Sequence, residues 1–268
     1  MPFTPSSLIA RIVVFFLITV FVSFQGYSQK VHKNGLSGGI DAGTGFKNGS
    51  YNPSITYYEL VSIAKNEFLF VGWTGRLSTF YGKELSYYTA PARLTRGKSG
   101  LGSLSEPLRV DHIDTLTFNR LSQTSLNLGL RAEFYVGPIT IGASVDLLGF
   151  TFLGRTRTGF IQSSTGLFTV TDSIGQQFQK PFQGEDAFQQ ATPHRLNLRL
   201  LGDNNRGMLT TEIYARVRLN EGVSLKVGYQ WLTSEMVLKN ADVVAKNDRF
   251  RNRSGLPYIG LTFPISPW

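Results

Sequence analysis

The sequence predicts an all-β fold: an eight-stranded antiparallel up-and-down β-barrel that crosses a membrane and carries long external loops. Three observations carry this expectation. Beyond residue 28 the chain has no long apolar run and no 3.6-residue stripe, whereas segments of strict apolar/polar alternation recur, the pattern of strands with two unlike faces. The connections between these segments alternate between tight and long. One face is rich in Leu, Ile, Val and Ala with aromatics toward the strand ends, and the other mixes Gly and Ser with charges.

The alternation is clearest at 125–136, where Leu126, Leu128, Leu130, Ala132, Phe134 and Val136 oppose Ser125, Asn127, Gly129, Arg131, Glu133 and Tyr135. Gly137 and Pro138 then make a tight turn into 139–146, which sets Ile139, Ile141, Ala143 and Val145 against Thr140, Gly142, Ser144 and Asp146. Residues 208–219 and 223–232 form a second such pair, joined at 220–222 by a three-residue turn that suits a type I turn with a bulge at Gly222. Further strands are expected at 69–81, 36–46 and 259–265. Residues 54–64 complete the eight, with two facings open: odd residues outward, which puts Glu59 on the apolar side, or the reverse, with a two-residue turn at Lys65 and Asn66. Long loops are expected near 83–122, 154–206 and 238–254, opposite the tight turns, the asymmetry of barrels with short periplasmic turns and long external loops.

Composition narrows the class. Apolar residues make up 41% of the 268, too few for a helical membrane protein, and Phe and Tyr number 20 and 11. With no Cys there is no disulfide framework, thiolate metal site or lipoprotein anchor. The net charge of +9 points to anionic partners, either nucleic acid or the phosphates of lipid headgroups and lipopolysaccharide. The N-terminus selects between them. After Arg11, residues 12–24 read IVVFFLITVFVSF, a length suited to a signal h-region and short of the roughly 20 residues of a spanning helix. Gly26 and Ser28 supply a cleavage site, so residues 1–28 are expected to be a cleaved signal peptide and 29–268 the outer-membrane barrel. Export makes nucleic acid an unfavoured partner.

The chain resembles the small outer-membrane β-barrel superfamily, the class that includes the OmpA transmembrane domain. The likeness is one of pattern over 29–268: Gln29 after the signal, alternating strands and an aromatic last residue, Trp268. Leu261, Phe263 and Ile265 stand one residue out of the register that the class counts back from its terminal aromatic. The resemblance implies insertion by a barrel-assembly machine and no particular activity.

The polar face supplies the candidate site. Asp41, Arg76, Arg131, Glu133, Asp146, Glu212, Arg216, Arg218 and Lys226 would fall inside the barrel as a lumen charge network. An eight-stranded interior is just wide enough to be filled by side chains. Arg131 and Asp146 would meet diagonally across their hairpin, and Arg216 would oppose Lys226, which requires a neighbouring carboxylate from Glu212 or Glu133. Trp73, Tyr81, Phe134, Tyr229 and Trp231 would form an aromatic girdle. In 238–254, Lys239, Lys246, Arg249, Arg251 and Arg253 against Asp242 and Asp248 make a basic external loop, with Arg251 exposed. Residues 92–99 narrowly miss a phosphate-binding loop, with Ala92 in place of Gly. No catalytic residue, metal site or cofactor is expected. The expected function is a porin-like barrel of a Gram-negative outer membrane with a plugged lumen. Its role would be structural or surface-binding, the alternatives being a lipid-modifying enzyme using His112 or His194, or a small ion or solute channel.

Overall fold

The computed structural model describes residues 35–64, 67–162, 167–171, 174–202, 204–240, 242 and 247–265. The expected signal peptide, the turn at Lys65 and Asn66, Lys246 and Trp268 lie outside the described residues. Among the described residues no helix is long and apolar enough to cross a membrane, which says nothing of crossing by strands.

The fold is all-β and antiparallel. Thirteen strands are present among the described residues, against the eight expected. Eight belong to a lower ring: β1 (Leu36–Lys47), β2 (Ser50–Ser62), β3 (Leu69–Thr89), β4 (Thr115–Val136), β5 (Ile139–Gly154), β11 (Leu209–Arg218), β12 (Ser224–Leu238) and β13 (Arg249–Ile265). Each pairs with the next in that order, and β13 pairs back to β1 from Gly38↔Ile265 to Gly45↔Tyr258. The described turns after β4 and β11 are tight and lie on one side, and the two-residue turn of β1–β2, at Asn48 and Gly49, lies on the other. Gly137, at φ +60°, takes the first position of a type II′ turn whose second is Pro138. Gly222 does not take the left-handed conformation that a bulge would need; its N–H instead donates to Asn220 Oδ1 at 2.9 Å.

The other five strands occupy stretches expected as loops: β6 (Arg157–Gln162), β7 (Phe168–Thr171), β8 (Gln177–Lys180), β9 (Phe188–Pro193) and β10 (Leu196–Leu198). Four long strands run on past the lower ring and join two of these. β3 pairs β4, β4 pairs β6, β6 pairs β9, β9 pairs β12, β12 pairs β13, and β13 pairs β3 at Phe250↔Thr89 and Arg251↔Tyr88. An upper ring of six strands therefore sits on the lower ring of eight. It exists because the β1–β2 hairpin is short and lets β13 reach β3 above it.

The two rings have opposite interiors. In the lower ring, inward residues such as Arg76, Asn127, Arg131, Glu212 and Lys226 are buried and polar, while outward Leu128, Leu130 and Ile213 are 54%, 53% and 49% exposed. In the upper ring the interior is apolar: Phe80, Leu85, Tyr87, Leu116, Phe118, Ile161, Met236 and Phe250 form one core. The β7–β8 hairpin adds Phe168, stacked on Phe182 at 3.8 Å. Between the rings, four polar residues face outward in adjacent pairs, Lys83 and Glu84 on β3 beside Asn119 and Arg120 on β4. The inward parity of both strands changes there, and Glu84 takes a positive φ of 52°, uncommon for a residue with a Cβ. In sequence these residues read as the start and end of a loop; in the structure they mark a kink in continuous strands.

The facing of β2 is settled with even residues inward: Tyr58 and Leu60 are buried and Glu59 points outward. Glu59 accepts hydrogen bonds from Tyr57 Oη at 2.5 Å and from Trp73 Nε1 at 3.2 Å, the latter on the neighbouring strand. The expected basic loop 238–254 is also revised. Arg249 and Arg251 belong to β13, and Arg251 is 5% exposed because its guanidinium lies on Glu235 at 3.3 Å.

Candidate functional site

Alternation places the charges. Side chains two apart along a strand share a face, so a polar residue at every second position becomes a lining once the sheet closes. Eight of the nine candidate charges meet inside the lower ring. Arg216 Nη2 lies 2.6 Å from Glu133, Glu133 lies 2.6 Å from Arg131 Nη2, and Arg131 Nη1 lies 2.7 Å from Asp41. Asp41 also takes Lys226 Nζ at 2.8 Å, and Lys226 pairs in turn with Glu212. Glu212 lies 3.1 Å from Arg76 Nη1, and Arg76 Nε lies 3.2 Å from Asp146.

The result is one chain, Arg216–Glu133–Arg131–Asp41–Lys226–Glu212–Arg76–Asp146, in which cation and anion alternate and the charges cancel. All but Arg216 are essentially excluded from solvent, and Arg216 is 6% exposed. Arg131 and Asp146 do not pair as expected. Arg131 reaches Asp41 across the interior, and Asp146 is taken by Arg76, Asn127 Nδ2 at 3.1 Å and the Thr210 N–H at 2.8 Å. Arg218, the ninth candidate, is the last residue of β11 and is half-buried there.

Neutral groups complete the lining. Glu133 accepts from Tyr214 Oη at 2.6 Å and Tyr135 Oη at 2.7 Å, Asp41 from Thr262 Oγ1 at 2.7 Å, and Glu212 from Gln230 Nε2 at 2.7 Å. Arg131 lies 3.7 Å from the centre of the Tyr58 ring and Lys226 lies 4.0 Å from that of Tyr214, both cation–π contacts. Arg216 donates to Tyr58 Oη at 2.9 Å. With Tyr58 on β2 and Thr262 on β13, every strand of the lower ring contributes. Chemically this arrangement is a neutral ladder of buried ion pairs.

No family model matches the sequence. No curated protein matches it either. Similar solved structures include two at 9% identity. One is Ail, the attachment invasion locus protein of Yersinia pestis in complex with the heparin analogue sucrose octasulfate, matched over 86% of this chain and 96% of that one with a TM-score of 0.29. The other is the CymD monoaromatic hydrocarbon channel, matched over 88% of this chain and 90% of that one with a TM-score of 0.18. What Ail or CymD binds is a property of those proteins.

The aromatic candidates all face outward: Trp73, Tyr81, Phe134, Tyr229 and Trp231 are 38–51% exposed. Tyr229 and Trp231 make an edge contact at 5.0 Å, and Tyr81 lies level with Tyr51, which lies level with Phe46, across three strands. His112 ends the 3-10 helix Val110–His112, and His194 Nδ1 lies 2.8 Å from the Leu196 carbonyl, a backbone group and not a nucleophile. In the near-miss phosphate loop, Ala92–Thr95 form a single helical turn, α1, and Lys98 pairs with Glu106. The sequence reading did not find Tyr58 or Thr262. The undecided facing of 54–64 hid Tyr58, and Thr262 carries no charge to draw attention to it.

Proposed function

We propose that this chain is an exported outer-membrane protein whose eight long strands cross the bilayer as a closed barrel. Its lumen is plugged by salt-bridged side chains, and it acts without catalysis, as a structural or surface-binding element. One observation carries the reading: the lower ring is inverted relative to a soluble protein, with a band of exposed Leu, Ile, Val and aromatic side chains around a charged, ion-paired interior. In water such a band is unfavourable, since soluble monomers rarely expose apolar patches larger than a few hundred Å². In a bilayer it is what the solvent requires, because every strand has its backbone partners in a closed ladder.

The upper ring, with its apolar core, is read as the external part. Its exposed cations include Arg109, Arg155, Arg195 and Lys239. Their natural counter-charges are the phosphates of lipopolysaccharide. Insertion would be the work of a barrel-assembly machine, with no nucleic acid involved. Cell fractionation and planar-bilayer recording test the reading together. The protein should be found with the outer membrane, should shift in mobility on boiling in detergent gels, and should give no channel steps. Recovery as soluble periplasmic protein would overturn the membrane assignment; steady conductance would overturn the plug; lipid hydrolysis abolished by His112→Ala or His194→Ala would overturn the non-catalytic role.

A further inference from the structure

Glu235 and Arg251 stand at outward positions of β12 and β13, yet both are buried. What covers them is the segment Asn204–Gly207, which leads into β11. The Asn205 carbonyl accepts from Arg249 Nη2 at 3.1 Å and from Arg251 Nη2, and the Gly207 N–H donates to Glu235 Oε2 at 3.0 Å. The segment is braced by Leu200 N–H to Asn205 Oδ1 at 2.9 Å and Asn204 Nδ2 to the Gly202 carbonyl at 2.8 Å. A second segment rests on it: Ser103 Oγ, in the 3-10 helix Gly100–Leu104, donates to the Gly202 carbonyl. A shelf thus projects from the outer wall of the barrel, on the side away from the Gly137–Pro138 turn.

The shelf presents leucines outward. Leu101, Leu104 and Leu201 are 63%, 66% and 69% exposed. It is also continuous with the apolar band. Leu128 lies level with Leu148 and Leu148 with Leu198; Leu126 lies level with Phe150 and Phe150 with Leu196. Leu200 follows Leu198 at the same parity, directly before Leu201. Arg93, Lys98 and Arg109 are exposed on the connection that supplies and follows the 3-10 helix, Lys98 sharing its charge with Glu106.

We infer that this shelf is an interfacial anchor lodged in the outer leaflet, its leucines among acyl chains and its cations at the level of the lipid phosphates. The inference rests on the membrane reading above and adds a contact that no crossing strand makes. An apolar face rimmed by Lys and Arg that lies along a bilayer is stabilised by buried apolar area together with attraction to anionic headgroups.

The chain has no cysteine, so single-cysteine variants can be labelled cleanly. Leu104→Cys, Leu201→Cys, Leu128→Cys for the mid-wall and exposed Glu185→Cys for water would each carry a nitroxide. Each full-length protein would be folded into vesicles of phosphatidylethanolamine and phosphatidylglycerol, its fold checked by gel mobility. Collision with oxygen, which concentrates in lipid, is compared with collision with a water-soluble nickel chelate. Labels at 104 and 201 should show an oxygen-to-nickel ratio several-fold above that at 185 and approaching that at 128. A ratio at 104 and 201 equal to that at 185, with 128 still lipid-like, overturns the anchor and leaves the barrel standing. A water-like ratio at 128 overturns both. Spin–spin broadening at 201 would show a second copy covering the shelf and would also overturn the anchor.

Discussion

Arg216 and Lys226 are direct cross-strand partners in the β11–β12 ladder, and their charges are drawn apart, Arg216 to Glu133 and Lys226 to Glu212 and Asp41. Two like charges on one face would repel. Here each has its own carboxylate, so the pair is one step in the alternating chain. Breaking the chain leaves a partner charge buried and uncompensated. Arg131→Ala, which strips Asp41 and Glu133 of a shared cation, should destabilise the fold by about 3–5 kcal/mol. Lys47→Ala, at the exposed end of β1, should change stability by no more than about 0.5 kcal/mol. Urea unfolding in vesicles measures both, and equal midpoints would refute the structural role of the chain. Planar-bilayer recording of Arg131→Ala should also show conductance above that of the parent.

Depth should govern the cost of a charge on the outer wall. Leu128 lies mid-strand in β4, 54% exposed, and Val136 is the last residue of that strand, 64% exposed. Leu128→Arg should cost about 2–4 kcal/mol and Val136→Arg about 0–1 kcal/mol, the midplane and interface values for a lipid-facing Arg. The same vesicle unfolding measurement reads the difference, and a reversed order would mean that the bilayer lies elsewhere on the barrel.

Glu59 is the exception on that wall, a carboxylate facing outward three residues from the end of β2 and hydrogen-bonded by Tyr57 and Trp73. Its cost is limited by those partners and by its place near the strand end. Glu59→Leu should leave the barrel as stable as the parent or raise its stability by up to about 1 kcal/mol, the interfacial penalty removed. A loss of more than that amount would show that the Tyr57–Glu59–Trp73 cluster stabilises the fold.

Glu235→Gln should loosen the outer shelf without unfolding the barrel. It removes the charge that faces Arg249 at 2.8 Å and Arg251 at 3.3 Å, while an amide oxygen can still accept from the Gly207 N–H. Trypsin should then cut after Arg206 faster than in the parent, with the barrel still shifting in mobility on boiling. Unchanged cleavage would show that the ion pairs do not hold the shelf.

The lower ring was legible wherever one face was uniformly apolar. In β4, β5, β11 and β12 the period-2 pattern gave both the strands and the inward charges, because a closed sheet assigns each position to either the inner or the outer face. The upper ring was not legible, for identifiable reasons. At Lys83 and Glu84, and again at Asn119 and Arg120, adjacent polar residues break the alternation just as a loop would. β6 and β9 are six residues each and find their partners only across long stretches of sequence. Arg251 looked like a solvated charge because Glu235, sixteen positions away, gave no local sign of lying beside it.

The pairing of β1 with β13 joins the first and last strands among the described residues, and it is only one of two hinges on β13. Above it, β13 leaves β1 and is fastened to β3 through Phe250 and Arg251. If β1 and β13 parted sideways, the slot between them would be stopped at its upper end by that second ladder and could not run out through the top of the barrel. The same fastening bears on how the last strand finds its place. Once Phe250 sits opposite Thr89, the remaining residues of β13 are dealt down the wall in fixed order, and Thr262 arrives at Asp41. A slip of one residue would turn Thr262 out of the interior and Leu261 in toward the charges.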